Sequence, residues 1–95
     1  MNIAIDYDDT FTAAPKFWRR LIQLARLSHH TVYCVSSRRG TMENVREIAD
    51  GIGLSGVPVV CCNHNAKHEV VANKGIRIDI WIDDDPWSIV GVDKP

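Results

Sequence analysis

The chain has 95 residues, enough for one small domain (1–95) and too few for a second core. Its 45% hydrophobic and 24% charged composition is that of an ordinary globular protein, and a net charge of −1 excludes a basic surface for nonspecific nucleic-acid binding. No charged amino-terminal segment leads into an apolar signal core, and no apolar run reaches membrane-helix length.

In chain order, Asn2–Asp6 reads as a buried strand. Pro15 suits the first turn of a helix, in which Phe17, Leu21, Leu24 and Ala25 recur at helical spacing. Thr31–Val35 is β-branched and apolar, a second strand. Thr41 is a helix-capping residue, and Val45, Ile48, Ala49 and Ile52 form the apolar face of a helix ending among Gly51 and Gly53. Val57–Cys62 is a third strand. A helix from about Ala66 to Lys74 stops at Gly75, and Ile78–Ile82 is a fourth strand. Trp87–Val90 adds a short edge strand or turn.

Alternation of strand and helix predicts an α/β fold with a mainly parallel sheet. Right-handed crossovers place all strand carboxyl ends at one edge, where such sheets bind ligands. Asp6, Ser36, Cys62 and Asp83 fall at those ends. Six of the twelve acids lie in two short patches there, Asp6-Tyr7-Asp8-Asp9 and Asp83-Asp84-Asp85. Carboxylates packed this closely repel one another unless a cation holds them.

The ordered set Asp6-x-Asp8-x-Thr10, Ser36, Lys67 and Asp83-Asp84 resembles the haloacid dehalogenase (HAD) superfamily, whose members are mostly Mg²⁺-dependent phosphatases. The likeness runs from Ile3 to about Trp87. It implies a Rossmann-like three-layer α/β/α sandwich and, residue by residue, a set of roles. Asp6 would be the nucleophile that forms an aspartyl-phosphate, and Asp8 the acid and then the base. Thr10 would support the loop holding Asp8. Ser36 and Lys67 would bind the phosphate, Lys67 also neutralising charge on the nucleophile. Asp6, the Asp8 backbone carbonyl, Asp83 and Asp84 would hold Mg²⁺, with Asp83 and Asp84 equal candidates for direct ligand.

The chemistry asks for these residue types on its own account. A carboxylate attacking a phosphate dianion is repelled, and Mg²⁺ with one ammonium offsets that repulsion. The first and fourth strands must then be neighbours, with the strand order reversing between them.

Lys67 stands at its helix's amino end, on the site edge, whereas Lys74 lies about 10 Å further along. Ser37, one residue beyond Ser36, is read as a turn residue, and Arg38 and Arg39 as solvated loop arginines. Asp85 is read as capping the turn after it. Cys34, Cys61 and Cys62 are an odd number with two adjacent, which argues against disulfides and for reduced thiols in a cytoplasm. A strand directs Cys61 and Cys62 to opposite sides, so zinc held by them with His64 and His68 is the weaker reading. Trp87 is a packing residue or lines the substrate entrance.

The connections are too short for the inserted cap that commonly selects substrates in the resembled family. Capless members of the resembled family tend to act on bulky substrates such as phosphoproteins or nucleic-acid ends, or take a cap from a partner subunit. The resemblance therefore implies a phosphorylated substrate, a nucleotide or a bulkier ester, with a homo-oligomer among the partners it allows. The alternative is a catalytically inactive, HAD-like module that binds metal or phosphate. The Asp6/Asp8 pair argues against it, because an inactive module has no need of Asp8.

Overall fold

A computed structural model describes the whole chain, Met1–Pro95. Four strands, β1 (Asn2–Ile5), β2 (Thr31–Ser36), β3 (Val59–Cys61) and β4 (Ile80–Ile82), form one sheet in the order β3-β2-β1-β4. All three pairings are parallel. The reversal between β1 and β4 is therefore present, and the sheet is wholly rather than mainly parallel.

Period-two alternation divides the core into two faces. Ile3, Ile5, Val32 and Cys34 point to one face, where they meet Ile22 of helix α1 (Pro15–Leu27) and Ile48 and Ile52 of helix α2 (Met42–Ile52). Ala4, Val35, Val60 and Cys62 point to the other, against Val71 of helix α3 (Lys67–Asn73). Each fully buried isoleucine contributes about 1.5–3 kcal/mol. The result is a Rossmann-like α/β/α sandwich. No helix is long and apolar enough to cross a membrane.

The helix ends follow local chemistry. Pro15 opens α1, where its missing N–H leaves nothing unsatisfied. The Thr41 hydroxyl accepts the Asn44 N–H at 3.1 Å, and Gly53 ends α2 in the left-handed conformation at φ 68°. Arg19 of α1 donates to the carbonyls of Ile52 and Gly51 at 2.8 and 2.9 Å, satisfying the end of α2 and tying the two helices together.

Several elements depart from the sequence expectations. The inward face of α1 is Trp18, Ile22 and Ala25, while Phe17 and Leu24 are exposed. Both stripes have helical spacing, and the sheet selects the one containing Ile22. In α2, Val45 and Ala49 both face solvent, leaving Ile48 and Ile52 as the buried face. β3 begins at Val59 because Pro58 has no N–H for the ladder, although its carbonyl still accepts the Cys34 N–H at 2.9 Å. Ile78 joins the core beside Ile76 and Trp81 rather than β4. A 3-10 turn, Phe11–Ala13, buries Phe11 between the first acids and α1. Trp87–Val90 is a short helix, α4, not an edge strand or turn. Gly91 ends α4 at φ 75°, so close to α3 that a Cβ there would lie 2.7 Å from the Ala66 Cβ. Between Thr10 and Pro15 stands only the 3-10 turn, with no inserted cap.

Candidate active site

The carboxyl ends of β1 and β4 come together at the reversal point. The Asp6 N–H donates to the Ile82 carbonyl at 2.9 Å, extending their pairing by one residue and setting Asp6 beside Asp83. Beyond it the chain turns back, with Phe11 and Thr12 N–H groups donating to the carbonyls of Asp6 and Tyr7. The Asp8 carbonyl, the atom expected at a metal, accepts no backbone hydrogen bond.

Lys67, the first residue of α3, is 1% exposed, and its ammonium bridges Asp6 Oδ1 at 2.9 Å and Asp83 Oδ2 at 2.6 Å. Burial opposes the charge on Lys67, but the two carboxylates together outweigh it and hold its pKa above the ordinary lysine value. Lys74 is exposed at the opposite end of α3. Asp6 itself is pushed up to about 6, because burial outweighs the stabilising hydrogen bond and charge of Lys67, and Asp83 adds repulsion. The Asp6 carboxyl is thus a strained anion.

Thr10 links the two acidic loops. Its hydroxyl lies 2.8 Å from Asp84 Oδ1 and 3.3 Å from Asp6 Oδ2, and it accepts the Asp84 N–H at 3.0 Å. One hydroxyl proton serves the nearer acceptor, Asp84, whose pKa is lowered chiefly by that bond. Carboxylate oxygens of Asp6, Asp83 and Asp84 lie within 4.8 Å of one another. This is the single group of three or more acid, histidine or cysteine side chains close enough to share a metal ion. Cys61 and Cys62 pack on opposite faces of the sheet, away from it. Burial raises their thiol pKa values, that of Cys62 to about 11.

Asp8 stands slightly apart. Arg38 holds its carboxylate in a bidentate pair, Nε to Oδ2 and Nη2 to Oδ1, both at 2.8 Å. The hydrogen bond from Arg38 is the main reason its pKa falls below the ordinary aspartate value. The guanidinium also lies 5.4 Å above the Tyr7 ring and 3.3 Å from Glu47. Tyr7 in turn stacks on Phe11 and packs on Gly51. Arg38 is thus an ordered part of the site rather than a solvated loop residue. The sequence signal for it was weak: a long side chain on the β2 loop, beside Ser36.

A cleft of about 180 Å³ is bordered by Asp6, Asp8, Lys67, Asp83, Asp84 and Ser37, among others. Ser36 is buried one layer beneath, its hydroxyl accepting the Arg38 N–H at 3.1 Å. Of the two serines on this loop, half-buried Ser37 is the one that borders the cleft. Asp85 anchors α4 through its main-chain carbonyl, which accepts the Ser88 hydroxyl at 2.7 Å, rather than through a side-chain cap. Lys67 and Asp6 meet across 61 residues of sequence only because α3 returns antiparallel to the strands and brings its amino end to their carboxyl edge.

No family model, curated protein or solved structure matches the chain.

Proposed function

We propose that this protein is a Mg²⁺-dependent phosphohydrolase of the HAD type, which cleaves phosphomonoesters through an aspartyl-phosphate on Asp6. The observation that carries this reading is the buried Lys67 bridge between Asp6 and Asp83, with Asp84 and Thr10 beside it at the reversal point of the sheet. One ammonium against three carboxylates leaves the cluster net negative, so it suits a phosphate dianion only together with a bound divalent cation, which the three converging carboxylates are placed to hold.

The three converging carboxylates fit Mg²⁺, a hard cation that takes one or two carboxylates alongside waters and phosphate oxygens. Asp6, Asp84 and the Asp8 carbonyl would hold it, since both Asp83 oxygens already accept hydrogen bonds from Lys67 and the Asp85 N–H. Bound there, it would neutralise charge on the phosphoryl oxygens. Lys67 orients Asp6 and neutralises part of the same charge. An Asp6 oxygen attacks phosphorus while the bond to the leaving oxygen breaks, and Asp8 gives that oxygen its proton. Asp8 then takes a proton from water as the water attacks phosphorus, the Asp6–phosphorus bond breaks, and inorganic phosphate departs. Ser37, with Lys67, meets the phosphate oxygens, and Ser36 shapes the loop that carries Ser37. The open cleft suits a nucleotide, a nucleic-acid end or another bulky ester.

The Arg38–Asp8 pair favours a second reading, a catalytically inactive metal- or phosphate-binding module, because a carboxylate held ionised has no proton to donate. Phosphate release from a panel of phosphomonoesters, with Mg²⁺ and with chelator, separates the two. Hydrolysis requires metal-dependent turnover at least a hundredfold above an Asp6→Asn control. Metal binding without turnover supports the inactive module.

A further inference from the structure

A second cavity, of about 360 Å³, adjoins the catalytic cleft and shares Ser37 and Ser88 with it. We infer that this cavity receives the leaving group, and that it selects a planar ring carrying no negative charge beyond the one phosphate. The inference rests on the phosphohydrolase reading and narrows its substrate class.

The volume lies in the range that holds small-molecule groups. An ester whose phosphorus sits at Asp6 extends its leaving group over the Ser37–Ser88 wall into this space. Trp87 and His64 border the cavity and supply two aromatic surfaces, while Asn65 supplies an amide that both donates and accepts. Stacking on one such ring is worth roughly tenfold or more in affinity.

The backbone that carries these groups is pinned on both walls. Asn63 and His64 are consecutive non-glycine residues in the left-handed region, at φ 52° and 62°, a conformation that persists only where the surroundings enforce it. Here the Asn63 and His64 N–H groups donate to the carbonyls of Arg38 and Ser37 at 3.0 and 2.9 Å. The Gly40 N–H donates to Asn63 Oδ1 at 2.8 Å. The loop bearing His64 is thereby locked to the loop bearing Ser37. On the other wall, the close approach of Gly91 to Ala66 seats α4, and with it Trp87 and Ser88, against α3.

Charge sets the selectivity. Glu69 and Asp93 line the cavity, and no lysine or arginine does. The Lys67 charge is engaged by Asp6 and Asp83, and that of Arg38 by Asp8 and Glu47. A diphosphate or polynucleotide extending this way meets carboxylates with no free cation, whereas a neutral or cationic ring does not.

The test compares kcat/KM for nucleoside monophosphates and pyridoxal 5′-phosphate with that for glycerol phosphate and a 5′-phosphorylated oligonucleotide. Ring-bearing monoesters should exceed each of the others by tenfold or more. Trp87→Ala should reduce the ring-to-glycerol ratio at least fivefold, and Trp87→Phe should retain it. Glu69→Gln with Asp93→Asn should raise oligonucleotide turnover several-fold. Uncharged adenosine should shift the indole N–H resonance of Trp87 in the NMR spectrum. Turnover of all four classes at similar rates, or a preference for the oligonucleotide, overturns the inference and leaves the phosphohydrolase reading standing. A Trp87 shift with adenosine and no turnover of any ester overturns the hydrolase reading and the leaving-group role with it, and leaves only a ring-binding cavity.

Discussion

Two carboxylates are buried against Lys67, so the consequence of removing its ammonium can be stated with a sign. Lys67→Met leaves Asp6 and Asp83 without their cation and should destabilise the fold by about 3–5 kcal/mol at pH 7.5, measured by urea unfolding. The loss should shrink toward pH 5, where Asp6 can take up a proton. An equal loss at both pH values would count against the buried pair as its cause. The Arg38–Asp8 pair behaves differently, being partly exposed, with side chains 24% and 48% accessible. Arg38→Gln should therefore cost under about 1 kcal/mol of stability. If Asp8 is the acid and base, the same change should lower kcat by roughly 10–100-fold, because Asp8 loses its positioning partner. Unchanged turnover would remove Arg38 from the site.

At the level of elements, Gly51 shows how tertiary contact overrides propensity. In a helix interior, Gly→Ala usually gains about 1 kcal/mol. A Cβ on Gly51, however, would run into the Tyr7 hydroxyl and lie 2.8 Å from the ring carbon bearing it. Gly51→Ala should therefore destabilise by about 1–3 kcal/mol. Tyr7→Phe removes the clashing oxygen and should recover part of that loss, so thermal melts of the double variant should be less than additive. The same kind of contact decides which face of α1 is buried. Of the expected stripe Phe17, Leu21, Leu24 and Ala25, only Ala25 packs on the core, where it joins Trp18 and Ile22; both spacings are helical, and only the sheet's position distinguishes them. The identity of α4 was hidden similarly, since four residues set no period and its packing against Ala66 is nonlocal.

For the whole molecule, the perturbed acids work in separate pH windows. The Asp6 pKa is raised from 3.8 to about 6. Its contribution is thus fully present below pH 3.8 and is lost as pH rises through about 6, a loss on the order of 3 kcal/mol in the metal-free protein. Asp8 and Asp84, whose pKa values are lowered, act oppositely, adding stability above the ordinary aspartate range and losing it below. About half of the Asp6 loss is recovered by pH 5, so with chelator present the melting temperature should rise by roughly 5–10 °C from pH 7.5 to pH 5. Under the metal-binding proposal, Mg²⁺ should raise it more at pH 7.5 than at pH 5, because a cation favours ionised Asp6. A larger Mg²⁺ effect at pH 5 would contradict that account.

Much of this was legible from local pattern. Strand and helix alternation yields a parallel α/β sheet, and capping residues such as Thr41 and Gly53 act through neighbours a few residues away. The need for β1 beside β4 also followed from the residues, because Asp6 and Asp83 serve one chemistry only if their strands adjoin. Nonlocal contacts settled what local pattern left open. They chose the buried stripe of α1, put Ser37 rather than Ser36 at the cleft surface, and drew Arg38 onto Asp8. They also set the cavity bordered by Trp87 beside the cleft, with Ser37 and Ser88 common to both. The division has a physical cause. Periodicity and capping are short-range and recorded in adjacent residues, whereas burial and ion pairing depend on which distant surfaces meet once the chain has closed.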